Sequence, residues 1–120
     1  MVKITQIDIA CGNPKELALW HGNLLGIEIV EMGNELFHLP LEGSEIHFVK
    51  DVSANVEAGT TGIHQFHFEL NQNIDEIVEL CNSNNLKPQI GKYGNKGQSV
   101  FIWDPENNPI ILFPAEKIGS

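Results

Sequence analysis

Residues Thr5 to Ala10 alternate, with Ile7 and Ile9 on one face and Gln6, Asp8 and Ala10 on the other, the period of a half-buried strand. Asn13-Pro14-Lys15-Glu16 follows, with a capping Asn, a Pro at the first helical position and a Glu three residues after the cap. This predicts a helix start. Leu17, Trp20, His21 and Leu24 then fall at helical spacing, and Gly26 stands where a glycine ends a helix. Three short strands are expected next, around Glu28 to Glu31, Glu35 to Leu39 and Glu45 to Val49, punctuated by Gly33-Asn34 and Gly43-Ser44. The first half reads β-α-β-β-β.

The second half repeats the pattern. Gln65-Phe66-His67-Phe68 alternates as Gln6-Ile7-Asp8-Ile9 does, and Asn73-Ile74-Asp75-Glu76 repeats the cap of the first helix about sixty residues on. Ile74, Ile77, Val78 and Cys81 then follow at i, i+3, i+4 and i+7. Three more strands are expected near Lys87 to Ile90, Ser99 to Trp103 and Pro109 to Phe113, with a longer loop over Gly91 to Gln98. The small, polar stretch between the halves reads as a linker. The expectation is one domain over 1–120, made of a first βαβββ module over 1–51, a linker over 52–62 and a second module over 63–115.

Composition narrows the partners. The 120 residues carry a net charge of −9, and all seven basic residues are Lys. An acidic chain without the bidentate fork of Arg is poorly suited to phosphate backbones and base edges, so no nucleic-acid partner is expected. The longest apolar runs, such as Pro109 to Pro114, fall far short of the roughly 20 residues a membrane helix needs, so no membrane partner is expected either. The opening Met-Val-Lys-Ile-Thr-Gln lacks the charged and apolar regions of a secretion signal, and Cys11 and Cys81 form neither a disulfide framework nor a metal-type pair. A cytoplasmic setting follows as an expectation, with both Cys as small apolar packers.

Two longer motifs on this duplicated unit carry a resemblance. Asn13 to Val30, with Trp20-His21 and Leu24-Leu25-Gly26-Ile27-Glu28-Ile29-Val30, and Phe101 to Phe113, with Asp104-Pro105-Glu106-Asn107-Asn108-Pro109-Ile110-Ile111-Leu112-Phe113, resemble the vicinal oxygen chelate superfamily. That superfamily holds glyoxalase I, bleomycin resistance proteins and extradiol dioxygenases. The resemblance covers nearly the whole chain and implies an α+β fold of tandem βαβββ modules. In the glyoxalase/bleomycin resistance/dioxygenase fold these form a cupped, partly open mixed-sheet barrel around one cavity. It also implies a divalent metal, where one is bound, held by the first and last strands of each module. Those positions carry Gln6, His47, Gln65 and Ile111 here, where the family commonly has His or Gln on the first strands and Glu on the last. Both carboxylates are gone. Gln6, His47 and Gln65 remain as metal candidates for Zn, Ni, Mn or Fe, but amide oxygens are weak ligands, so low affinity is expected unless Asp8, His67 or Glu69 steps in. No cofactor is therefore firmly expected.

Strand alternation assigns Ile7, Ile9, Phe66 and Phe68 to a helix-packed core, so Gln6, Asp8, Gln65, His67 and Glu69 face the other side. With His47 and Ile111 they are the expected pocket. His47 and His67 are candidate acid/base groups or polar wall residues. Tyr93 and Trp103 are a candidate aromatic wall, and Trp103 equally fits core or a dimer interface. His64 lies one residue out of phase with His67, so it is expected on the outer face or at the strand entrance, and the two do not make a metal motif. His21 reads as a helix-face residue, His38 can face either side, and Glu28, Glu31, Glu35, Glu42 and Glu45 read as a solvated face. Two functions fit: a metal-free module that binds a small molecule, or a metal-dependent lyase or isomerase of the glyoxalase type with an altered ligand set. A homodimer is expected, because open sheets leave strand edges that family members commonly cover by pairing or by exchanging modules between chains.

Overall fold

The computed structural model describes residues 2–33, 35–50, 64–92 and 97–115. The expected linker over 52–62 and Tyr93 lie outside them. The chain divides into two compact units, Met1–Thr60 with Asp104–Asn107, and Thr61–Trp103 with Asn108–Ser120. Each carries one βαβββ repeat. No helix among the described residues is long and apolar enough to cross a membrane.

The first unit runs β1 (Gln6–Cys11), α1 (Pro14–Leu25), β2 (Val30–Glu31), β3 (Leu36–Leu41) and β4 (Ser44–Lys50). Its sheet has the order β1-β4-β3-β2, with β1 parallel to β4 and the other pairs antiparallel. The second unit runs β5 (Phe66–Leu70), α2 (Ile74–Ser83), β6 (Gln89–Lys92), β7 (Gln98–Trp103) and β8 (Pro109–Pro114). Its sheet repeats that order as β5-β8-β7-β6, with β5 parallel to β8. A helical crossover is what a parallel β1–β4 or β5–β8 pair requires, and it places the helix on one face of each sheet.

The helix starts follow their caps. In α2 the Asn73 side chain accepts from the Glu76 backbone N–H at 2.9 Å, and the Asn73 N–H donates back to Glu76 Oε1 at 3.0 Å, a complete capping box. In α1 the Asn13 side chain likewise accepts from the Glu16 N–H at 3.2 Å. The return bond differs. The backbone N–H groups of Gly12 and Asn13 donate to the two carboxylate oxygens of Glu106, each at 3.0 Å, so a residue from 104–107 completes the cap. Gly26 ends α1 in the left-handed region at φ 69°, as its position in the sequence predicts.

Each core lies between a helix and its sheet. Leu17, Ala18 and Leu24 of α1 cover Ile9, Cys11, Phe37, Leu39, Ile46 and Phe48, all buried. In the second unit Ile77 and Cys81 pack with Phe66, Phe68, Val100, Ile102, Ile110 and Leu112. Phe66 and Phe68 are buried on the face the alternation assigns them, and Cys11 and Cys81 are buried free thiols. Ile7 departs from the expectation, since it is 47% exposed. It has the parity of Ile9, but α1 packs chiefly on β3 and β4 and leaves the start of the end strand β1 uncovered.

Candidate functional site on the first sheet

Register brings together residues that lie far apart in sequence. His47 on β4 stands opposite Asp8 on parallel β1 and opposite His38 on antiparallel β3. Gln6 stands opposite Glu45, and the pleat puts both on the face of Asp8 and His47, away from α1. The result is a polar cluster across three adjacent strands. Gln6 Nε2–H donates to Asp8 Oδ1 at 2.8 Å, and Asp8 Oδ1 lies 3.6 Å from His47 Nδ1. His47 Nε2 lies 2.8 Å from Glu45 Oε1, and the other oxygen, Glu45 Oε2, is 4.0 Å from His38 Nδ1. The His38 and His47 rings stack at 3.4 Å between centroids, 13° from parallel. His47 is buried and His38 and Glu45 are half-buried, whereas Gln6 and Asp8 are exposed.

The second module carries a different set at the same places. His67 stands opposite Ile111, and Ile111 opposite Phe101, while Pro109 pairs with Trp103. Equivalent sheet positions thus hold Asp8, His47, His38 and Glu45 in one module but His67, Ile111, Phe101 and Pro109 in the other. Ile111 is buried, and Gln65 Nε2 lies 2.9 Å from His67 Nε2 on the exposed side of β5, as Gln6 reaches Asp8 on β1. Glu69 is exposed. Trp103 is 42% exposed, which removes it from the core of its unit. His64 is half-buried with its ring 6.3 Å from that of Phe66, and its N–H donates to Asn108 Oδ1 at 3.0 Å.

Two members of the first-sheet cluster escape sequence reasoning. Glu45 reads as part of a solvated acidic face, yet its carboxylate bridges toward two imidazoles. Parity was the available signal: Glu45 is two residues before His47 and shares its face. His38 is undecided until the β3–β4 register places it opposite His47. His21 also differs from its reading as a helix-face residue, because it is fully buried and bonded to Asp104.

The four family positions, Gln6, His47, Gln65 and Ile111, do not fit a metal by their chemistry. They offer one imidazole, two neutral amides and an alkyl chain, with no anion. The first-sheet cluster has what that set lacks, a carboxylate beside two imidazoles, with one donor atom from each of His38, Glu45 and His47 lying within 4.8 Å of the others.

With this geometry in place, comparison with solved structures shows the fold. The chain has the fold of a glyoxalase/bleomycin resistance protein/dioxygenase from Alicyclobacillus acidocaldarius, which matches with a TM-score of 0.68 at 12% identity over 96% of this chain and 92% of that one. A virulence protein from Salmonella typhimurium matches with a TM-score of 0.76 at 16% identity, covering 97% of this chain and 98% of that one. Lactoylglutathione lyase from Agrobacterium tumefaciens matches with a TM-score of 0.72 at 16% identity, over 98% and 96% of the two chains. A fosfomycin resistance protein from Listeria monocytogenes matches with a TM-score of 0.72 at 13% identity, over 97% and 95%. No protein-family model and no curated protein matches the chain.

Proposed function

We propose that this protein binds a small molecule on the polar face of its first sheet, through Gln6, Asp8, His38, Glu45 and His47. The observation that carries the reading is the contrast between the modules. Where the second places Phe101, Ile111 and Pro109, the first places two imidazoles and a carboxylate in mutual contact. The fold does not require polar side chains there, because its own duplicate does without them. Clustering titratable groups on a half-exposed sheet face costs desolvation, a cost that ligand binding offsets. Two carboxylates on this face and a net charge of −9 favour a ligand with positive charge or hydroxyl groups over an anion. The free, buried Cys11 and Cys81 suit a reducing cytoplasm.

Native mass spectrometry of freshly purified protein tests the reading. A co-purifying small molecule is expected, retained by wild type and lost from a folded His47→Ala variant. Equal retention by both variants would move the ligand elsewhere. A lyase or isomerase function is the second reading, favoured by one observation: His47 lies between the carboxylates of Asp8 and Glu45, an arrangement able to pass a proton. Turnover of an α-hydroxy thioester that disappears in His47→Ala would select it. We also propose a homodimer, because Val2, Ile4 and Ile7 leave a run of exposed apolar side chains leading into an end strand of the first sheet. A monomeric mass by light scattering at micromolar concentration would refute that.

A further inference from the structure

We propose that His38, Glu45 and His47 form a binding site for a borderline divalent cation of the Zn²⁺ and Co²⁺ kind, built entirely from the β3–β4 hairpin of the first module. This rests on reading the same sheet face as the ligand site and names what that site holds. The ligand set is not the one implied by the resemblance, which draws on both modules and here lacks any carboxylate.

Three arguments converge. The first is donor chemistry: two imidazoles and one carboxylate suit Zn²⁺, Co²⁺ or Ni²⁺, whereas Mg²⁺ and Ca²⁺ prefer shells of oxygen. The second is spacing. Metal–ligand bonds of about 2.0–2.2 Å place tetrahedral donors roughly 3.3–3.5 Å apart. The observed separations of 2.8 Å for His47 Nε2 to Glu45 Oε1 and 4.0 Å for His38 Nδ1 to Glu45 Oε2 bracket that range. The His38 and His47 rings, stacked at 3.4 Å, have to turn out of parallel for their nitrogens to converge on one ion.

The third is the support behind the donors. A metal-binding His commonly has its other ring nitrogen held by a carboxylate, which fixes the ring and its tautomer. Asp8 Oδ1 stands 3.6 Å from His47 Nδ1, behind the ring, and Asp8 is itself oriented by the Gln6 amide at 2.8 Å. His47 Nε2 therefore faces Glu45 Oε1, with the His38 ring stacked on the face of the His47 ring. His47 and Glu45 sit at i and i+2 of one strand with His38 opposite His47, so a rigid hairpin presents all three groups.

Untagged protein, stripped with a chelator, is titrated with Co²⁺ by visible absorption and with Zn²⁺ by calorimetry. One equivalent is expected to bind, with a visible Co²⁺ spectrum of nitrogen and oxygen ligation. His38→Ala and Glu45→Gln should each weaken Zn²⁺ at least tenfold, and Asp8→Asn should weaken it about 10- to 100-fold by loosening His47. Gln65→Ala should leave it unchanged. Circular dichroism and thermal melts confirm that each variant is folded. Absence of a stoichiometric Co²⁺ signal in folded wild type overturns the proposal. So does unchanged affinity in both His38→Ala and Glu45→Gln, or loss of binding in Gln65→Ala, which would place the ion on the family positions. The two readings fail separately. A small molecule that still co-purifies with protein unable to take up Co²⁺ sinks the metal site alone, and Co²⁺ uptake with no small molecule bound sinks the small-molecule reading while the cation site stands.

Discussion

His21 Nε2 lies 3.2 Å from Asp104 Oδ2, with both side chains fully buried and the two residues 83 positions apart in sequence. The pair ties the segment Asp104–Asn107 to α1, and the Glu106 carboxylate on the Gly12 and Asn13 N–H groups ties it to the start of that helix. Asp104 also shapes its own loop. Its Oδ1 accepts from the Glu106 N–H at 3.0 Å and its carbonyl accepts from the Asn107 N–H at 2.9 Å, where Asn107 holds a positive φ of 65°. Removing one partner of a buried pair leaves the other desolvated, so Asp104→Ala should cost about 3–5 kcal/mol. Urea denaturation checks this. A loss below about 1 kcal/mol would mean that the buried imidazole is satisfied without Asp104.

Much of this fold is legible in the sequence, for reasons particular residues make plain. Asn13-Pro14 and Asn73 with Glu76 announce helices because a cap satisfies local backbone donors and needs nothing from afar. Phe66 and Phe68 announce their face because alternation is a local property of a strand. Ile7 shows the limit. Parity places it on the helix side, but only the length and packing of α1 decide whether a helix reaches it. The candidate site is less legible still, because Glu45 and His38 acquire their roles through register, a relation between strands that no single segment records. His21 fits helical spacing whether its partner is water or Asp104, and only tertiary structure brings Asp104 to it.

Gly22 in α1 is required by a close approach. A Cβ built there would sit 2.7 Å from the Ile27 carbonyl oxygen and 2.8 Å from Ile29 Cγ1. Ala is favoured over Gly in a helix by about 1 kcal/mol, but a clash with backbone cannot be relieved by a side-chain rotation. The clash should win, and Gly22→Ala is expected to destabilise by roughly 1–3 kcal/mol in chemical denaturation. A stabilised variant would show that the chain after Gly26 shifts freely.

Phe66 and His67 are neighbours on opposite faces of β5, which makes them a paired test. Phe66 is 8% exposed and its ring stacks on Phe68 at 6.0 Å between centroids. Phe66→Ala should open a core cavity at a cost of about 3–5 kcal/mol. His67 is half-buried on the side away from α2, where truncation removes its bond to Gln65 and should cost about 1 kcal/mol or less. The reverse order of thermal midpoints would show that the two faces are exchanged.

Cys11 gives a pH dependence with a definite sign. It is 2% exposed, and its thiol lies 3.6 Å from the Val49 carbonyl. Burial, reinforced by the negative charge of Glu106, pushes its pKa from 9.0 up to about 12. Between those values the unfolded chain has released the proton while the folded chain retains it, so stability falls as pH rises. The contribution is complete below 9.0 and is lost as pH climbs toward about 12. Denaturation midpoints measured from pH 8 to pH 12 should therefore fall more steeply in wild type than in Cys11→Ala, a comparison in which every other side chain is the same in both proteins. Parallel curves would mean that the Cys11 thiolate is solvated in the folded state, and rapid alkylation of Cys11 by iodoacetamide in native buffer would show the same directly.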